Sequence, residues 1–140
     1  MTKYEDFLKN IKGCPFCEKS DRVIIESSES FMTYALWPYH KHHLLIIPKR
    51  HIESLSKLTE IEKKDIDSMQ EKALEILKKL GYSSITHLVR EGKENKAINH
   101  VHFHTIPNIR IGDLDHYGQE RKMLLEDDIQ KTIKDIQEFL

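Results

Sequence analysis

The sequence predicts an α+β domain with a mostly antiparallel sheet, and three observations carry that expectation. Segments 59–81 and 120–140 repeat apolar residues at helical spacing. Short apolar runs bounded by Ser, Gly and Lys turns lie before and between them, the pattern of strands joined by hairpins. The chain has 140 residues, enough for one domain that buries roughly two thirds of its unfolded surface without disulfides.

Taken in order, residues 2–10 predict a short helix with Tyr4, Phe7 and Leu8 inward, ended by Gly13. Residues 23–26 and 31–36 pair as strands around a turn at 27–30. Leu44-Leu45-Ile46-Ile47 has no polar gap, as a central strand requires. Thr59 and Glu62 form a capping box. Ile66, Met69, Ala73, Leu77 and Leu80 then make one helical stripe, closed at Gly81 by a left-handed cap. Residues 85–89 and 101–106 read as strands around a polar turn at 93–96. A last helix, 120–140, places Leu125, Ile129, Ile133, Ile136 and Leu140 on one face. No repeat or linker divides the sequence, so 1–140 reads as a single domain.

The charge balance excludes several function classes. Twenty-two Lys+Arg against 23 Asp+Glu give a net charge of -1, which fits neither a basic nucleic-acid module nor an acidic disordered tail. No segment approaches the roughly 18 apolar residues of a membrane span, and the first residues lack a signal peptide's apolar run. The expectation is a soluble, cytoplasmic protein with no membrane or nucleic-acid partner.

Nine histidines are unevenly placed. His40, His42, His43 and His51 form one group, His100, His102 and His104 another, and only His87 and His116 fall elsewhere. On a strand, Val101 and Phe103 would enter the core, leaving three imidazoles on the other face at steps of roughly 6–7 Å. A plain polar face is the ordinary alternative, but three imidazoles repel one another once protonated. Neutral imidazoles at that spacing suit a nucleophile, a proton donor and a metal ligand. Cys14-Pro15-Phe16-Cys17 is ambiguous alone, since C-x-x-C serves redox and metal sites alike. A redox pair follows a buried strand and opens a helix; Asn10-Ile11-Lys12-Gly13 before it predicts neither. A tetrahedral zinc needs two further N or S ligands.

His100-Val101-His102-Phe103-His104-Thr105-Ile106 resembles the signature of the histidine triad family of nucleotide hydrolases and transferases. The stretch from Pro38 through His43 to Pro48-Lys49-Arg50-His51 is similar to the family's upstream motif, and the two motifs with the helix between them cover most of residues 14–107. The resemblance implies the family's antiparallel meander sheet, a long helix after the third strand and a C-terminal helix. It implies a small-molecule nucleotide substrate, a nucleoside phosphoramidate or a dinucleoside polyphosphate, attacked at the α-phosphorus by His102. His104 would bond the phosphate or pass a proton to the leaving group, and His43 would lie beside the same phosphate; its bland alternative is a core histidine bonded to backbone. Zinc-containing members imply a structural Zn2+ on Cys14, Cys17, His51 and His100. Phe16 and Leu36 match base-pocket positions, and the resemblance implies a homodimer with a continuous sheet.

This sequence departs from the family at several positions. Ala35 stands where Asp or Asn usually holds the ribose, at a loss of roughly 0.5–1.5 kcal/mol per missing hydrogen bond. Asn95, Lys96 and Ala97 replace the family's G-[QS]-[ST], so Asn95 and Lys96 become candidate substrate contacts without the usual hydroxyl. His42 replaces a glycine, and Arg90 falls near a usual Asn. Arg90, Lys93 and Lys96 would add positive charge around a polyanion, or simply form a solvated turn. The alternative function is a catalytically weak nucleotide- or partner-binding module with a zinc-stabilised fold. Ala35 and Ala97 favour it; His102 and His104 oppose it.

Overall fold

The computed structural model describes residues 13–17, 22–93, 98–109 and 118–140. The helix expected over 2–10, the candidate contacts Asn95 and Lys96, Ala97 and His116 lie outside the described residues. The chain divides into two compact units, Met1–Ile109 and Arg110–Leu140.

In the first unit, β1 (Ile25–Glu26), β2 (Ser30–Tyr34), β3 (Leu44–Pro48), β4 (Ile85–Val89) and β5 (Phe103–Pro107) form one sheet in the order β1-β2-β3-β5-β4. All pairings are antiparallel, so the structure is α+β as the sequence predicts. The meander runs through β1, β2 and β3. Helix α1 (Glu60–Lys79) then carries the chain to the far edge, and β5 returns between β4 and β3.

The two-residue period of a strand gives each sheet face its own task. Met32, Leu44 and Ile46 pack with partly buried Phe103 against Ile66, Met69, Ala73 and Leu77 of α1. Burying side chains of that size contributes about 1.5–3 kcal/mol each for the larger ones. Phe31, Leu45 and Ile47 form a second cluster with Phe16, Val23 and Ala35 on the opposite face. His104 pairs across from Leu45, which places it on that second face.

Helix α1 begins where the capping box predicts. The Thr59 hydroxyl accepts from Glu62 N, and the Glu62 carboxylate accepts from Thr59 N at 2.9 Å. Buried Glu62 also accepts from Arg50 at 2.8 Å, which holds its carboxyl below the usual range. At the other end Gly81 has φ 99°, and Tyr82 N donates to Leu77 O at 3.1 Å. Leu80, expected on the buried stripe, is exposed instead, because it is the cap residue where the chain leaves the helix.

Asp65 ties α1 to the β1–β2 turn, accepting from Ser27 and Ser30 hydroxyls at 2.5 Å. A single 3-10 turn, Leu55–Lys57, is capped from afar by Glu91, which accepts from Leu55 N at 2.9 Å and Ser54 Oγ at 2.6 Å.

Three strands differ in extent from expectation. β1 has two residues and β2 ends at Tyr34. β5 starts at Phe103 rather than Val101, because His100 is drawn off the strand line by partners described below.

The second unit contains α2 (Glu126–Gln137), shorter than the expected 120–140. Glu126, Asp127 and Asp128 at its first turn and Lys134 at its last complement the helix dipole. Among the described residues no helix is long and apolar enough to cross a membrane.

Candidate active site and metal-ligand cluster

The second sheet face carries both histidine groups. His43 stands immediately before β3, at the end of a turn closed by its N–H to His40 O at 2.9 Å. Its carbonyl accepts from Ala35 N at 3.0 Å, so main chain on both sides fixes the residue. The backbone N–H of Tyr39 donates to His43 Nδ1 at 3.2 Å, and the Tyr39 ring stacks on the imidazole with centroids 5.8 Å apart.

That contact decides the proton positions in the pair. With Nδ1 an acceptor, a neutral His43 carries its hydrogen on Nε2. Nε2 lies 2.8 Å from His104 Nδ1, so His43 donates and His104 accepts. His104 therefore holds its own hydrogen on Nε2, a buried atom without a hydrogen-bond partner among the described residues. Burial, followed by the charges of His102 and Arg90, pushes His43 down to about 4. Burial with His102, His43 and Arg90 pushes His104 down to about 3. Both imidazoles are neutral at pH 7, as a directed chain of single hydrogens requires.

His102 lies beside this pair, its ring centroid 4.9 Å from that of His104. Its Nδ1 is 2.8 Å from the carbonyl oxygen of His100 and donates there. The lone pair of the neutral ring is thereby placed on Nε2. Phe16 packs edge-on against His102 at 5.0 Å and His100 at 6.0 Å.

The adjoining cluster gathers Cys14, Cys17, His51 and His100, whose ligand atoms all lie within 4.8 Å of one another. His100 Nε2 donates to Pro48 O at 2.8 Å, turning the Nδ1 lone pair toward both sulfurs. Nδ1 is 3.3 Å from Cys14 Sγ and 3.6 Å from Cys17 Sγ, while His51 Nδ1 is 3.1 Å from Cys17 Sγ. A tetrahedral zinc with ordinary Zn–S and Zn–N bonds has edges of roughly 3.3–3.8 Å between ligands. The donor set and its spacing fit such an ion. On the far side His51 Nε2 faces Glu53 Oε1 at 3.9 Å, the place of an outer carboxylate.

The structure thus brings His43, His102 and His104 together, and likewise Cys14, Cys17, His51 and His100. Phe16 bridges the two groups. Leu36 is 46% exposed, and Arg90 is near enough to act on both buried imidazoles. Sequence reasoning missed the Tyr39 N–H and the Pro48 carbonyl, since main-chain groups carry no residue signature. It also left His40 and His42 without partners. The structure packs both against Tyr82, with His42 Nδ1 2.6 Å from the Tyr82 hydroxyl.

Residues 17–110 match the HIT domain family. An uncharacterised HIT-like protein of Methanocaldococcus jannaschii is 30% identical over 128 residues, covering 86% of this chain and 98% of that one. The adenosine 5'-monophosphoramidase of Schizosaccharomyces pombe is 30% identical over 101 residues, covering 68% of this chain and 74% of its own. Among solved structures, a HIT family member from Bacillus subtilis superposes with a TM-score of 0.70 at 23% identity, covering 92% of this chain and 98% of that chain.

Proposed function

The chain belongs to the HIT domain family, and from that premise we propose that it is a nucleotide hydrolase or nucleotidyltransferase working through a covalent nucleotidyl-histidine on His102. The observation that carries this reading is the directed set of imidazole hydrogens. His102 presents an Nε2 lone pair, and His104 carries on Nε2 a buried hydrogen that finds no acceptor among the described residues.

In the first half-reaction His102 Nε2 forms a bond to the α-phosphorus while the bond from phosphorus to the leaving group breaks. His104 Nε2–H donates a hydrogen bond to the phosphate oxygens, and the departing nitrogen or oxygen takes its proton from water. The Nδ1–H of His102 stays on the His100 carbonyl, which stabilises the positive charge that the ring acquires. In the second half-reaction water attacks phosphorus, the P–N bond breaks to release neutral His102, and the water's proton passes to solvent, while His104 Nε2–H keeps its bond to the phosphate. Splitting one difficult displacement into two explains the need for a nucleophile beside a hydrogen-bond donor to the phosphate.

The substrate is a nucleoside phosphoramidate or a dinucleoside polyphosphate. The phosphoramidase activity in the name of the fission yeast relative supports the former, and the Arg90 charge near the imidazoles suits the latter. Cys14, Cys17, His51 and His100 hold a structural zinc, which contributes rigidity from a closed four-ligand shell. The chain works in the cytoplasm as one HIT domain, with its chemistry wholly in the first unit. It pairs as a homodimer, for which the edge strand β4 supplies unpaired backbone groups.

The test is a substrate panel with an acid-labile label. Incubation with adenosine 5'-phosphoramidate labelled at phosphorus, followed by denaturing quench, should leave label on the parent and none on His102→Ala. Turnover by His102→Ala at the parent's rate, or label on another residue, overturns the mechanism. Binding without turnover in the parent would instead identify a binding module.

A further inference from the structure

We propose that Tyr82 is a positioning residue for the histidine site, acting through His42 to hold the turn from which His43 reaches His104. The inference rests on the reading that His43 serves the chemistry, and it concerns residues that the mechanism above leaves idle.

Tyr82 is among the best-anchored residues near the site. It follows the left-handed cap Gly81, its N–H is bonded to Leu77 O at 3.1 Å, and its ring packs on the main core cluster. Its hydroxyl therefore projects from the end of α1 with little freedom. That hydroxyl lies 2.6 Å from His42 Nδ1. His42 occupies a corner of the turn that His43 N closes onto His40 O at 2.9 Å. The His42 backbone N–H also donates to His40 Nδ1 at 3.0 Å, so the turn is bonded within itself as well as to α1. The His40 ring meets Tyr82 edge-on at 5.2 Å, closing a three-ring cluster.

The next residue in the chain is His43, and the same short segment supplies the Tyr39 N–H that sets its tautomer. A turn of this kind, exposed at Tyr39 and Lys41, would otherwise drift by an ångström or so. The 2.8 Å bond from His43 Nε2 to His104 Nδ1 does not tolerate that. Tyr82 thus couples the end of the core helix to the donor–acceptor order of the buried imidazoles.

Tyr82→Phe removes only the oxygen, and the two readouts proposed respond differently to a positioning role and to lost stability. First, proton NMR of the protein without substrate should show a low-field imidazole N–H resonance for the His43–His104 bond. Tyr82→Phe should broaden it or speed its exchange, while melting changes little. Second, with a substrate turned over by the parent, kcat should fall roughly 10-fold with KM changed less than about twofold, as for a displaced catalytic group. His42→Asn, whose side chain can still bond the hydroxyl, should retain the resonance and most of kcat. His42→Phe should lose both, and combining it with Tyr82→Phe should add little, because one interaction is being removed twice. An unchanged resonance and kcat in Tyr82→Phe overturns the proposal. So does a lowered melting temperature with the resonance intact. Because the resonance needs no substrate, a parent inactive on every nucleotide would refute the proposed function and leave this result readable.

Discussion

At the scale of single residues, the decisive feature is that His43 and His104 must be uncharged when the protein is folded. An exposed histidine titrates near 6.5, whereas burial brings these two down to about 4 and about 3. Between those values the unfolded chain binds more protons than the folded one, so stability falls as the pH drops below about 6.5. Urea midpoints measured from pH 7.5 to 4.5 should decline over this window, and the decline should flatten in a His43→Asn, His104→Asn double variant. A flat profile in the parent would contradict the neutral hydrogen-bonded pair. His102→Ala, in contrast, should leave the fold intact and lower kcat by a factor of 10³ or more, given what removing a covalent nucleophile costs. Much of this was legible in the sequence: two-residue spacing put His102 and His104 on one face, and the resemblance to the histidine triad family implied His43 beside them. The tautomers were not legible. They depend on the Tyr39 N–H and the His100 and Pro48 carbonyls, which every residue type other than proline, or every residue, offers alike.

At the scale of elements, local signals located boundaries well where they had a local cause. Thr59 with Glu62, and Gly81 with its positive φ, set both ends of α1 within a residue of expectation. The strand expected over 85–89 is β4 in its full extent. The failures have tertiary causes. β5 starts two residues late because His100 turns toward Pro48 O and two sulfurs, contacts made 52 and more positions away. Glu62→Ala should cost about 1–2 kcal/mol in chemical denaturation, since it removes half of a capping box together with the buried carboxylate that Arg50 bonds. Asp65→Asn should also destabilise. Burial favours the protonated acid there, but hydrogen bonds from Ser27 and Ser30 outweigh it and hold the carboxyl below its usual range. That contribution is present above the ordinary carboxylate pKa and is lost on acidification.

At the scale of the whole molecule, the ligand cluster ties the loop before β1 to the ends of β3 and β5, two strands that the sheet already sets side by side. Cys14 and Cys17 come from the loop before β1, His51 from the segment after β3, and His100 from the approach to β5. Cys17→Ser should bind less than one zinc per chain and melt at least about 3 °C lower, the shift expected for roughly 1 kcal/mol in a domain near this size. Melting unchanged by a chelator would exclude a structural metal. Sedimentation velocity at micromolar concentration should give a dimer, and a monomer there would remove the case for β4 as a shared edge. The sheet also has a consequence for how such a chain can change over generations. Along β3 and β5, neighbouring residues alternate between the face packed against α1 and the opposite face, where Leu45 and Ile47 lie beside the site residue His104. Single substitutions can therefore tune one task and spare the other. Inserting or deleting one residue there exchanges the two sets at a stroke, which leaves neither working. Variation in length is therefore confined to the connections and the termini, and inside these two strands the reading frame of the sheet is as strongly constrained as the histidines it carries.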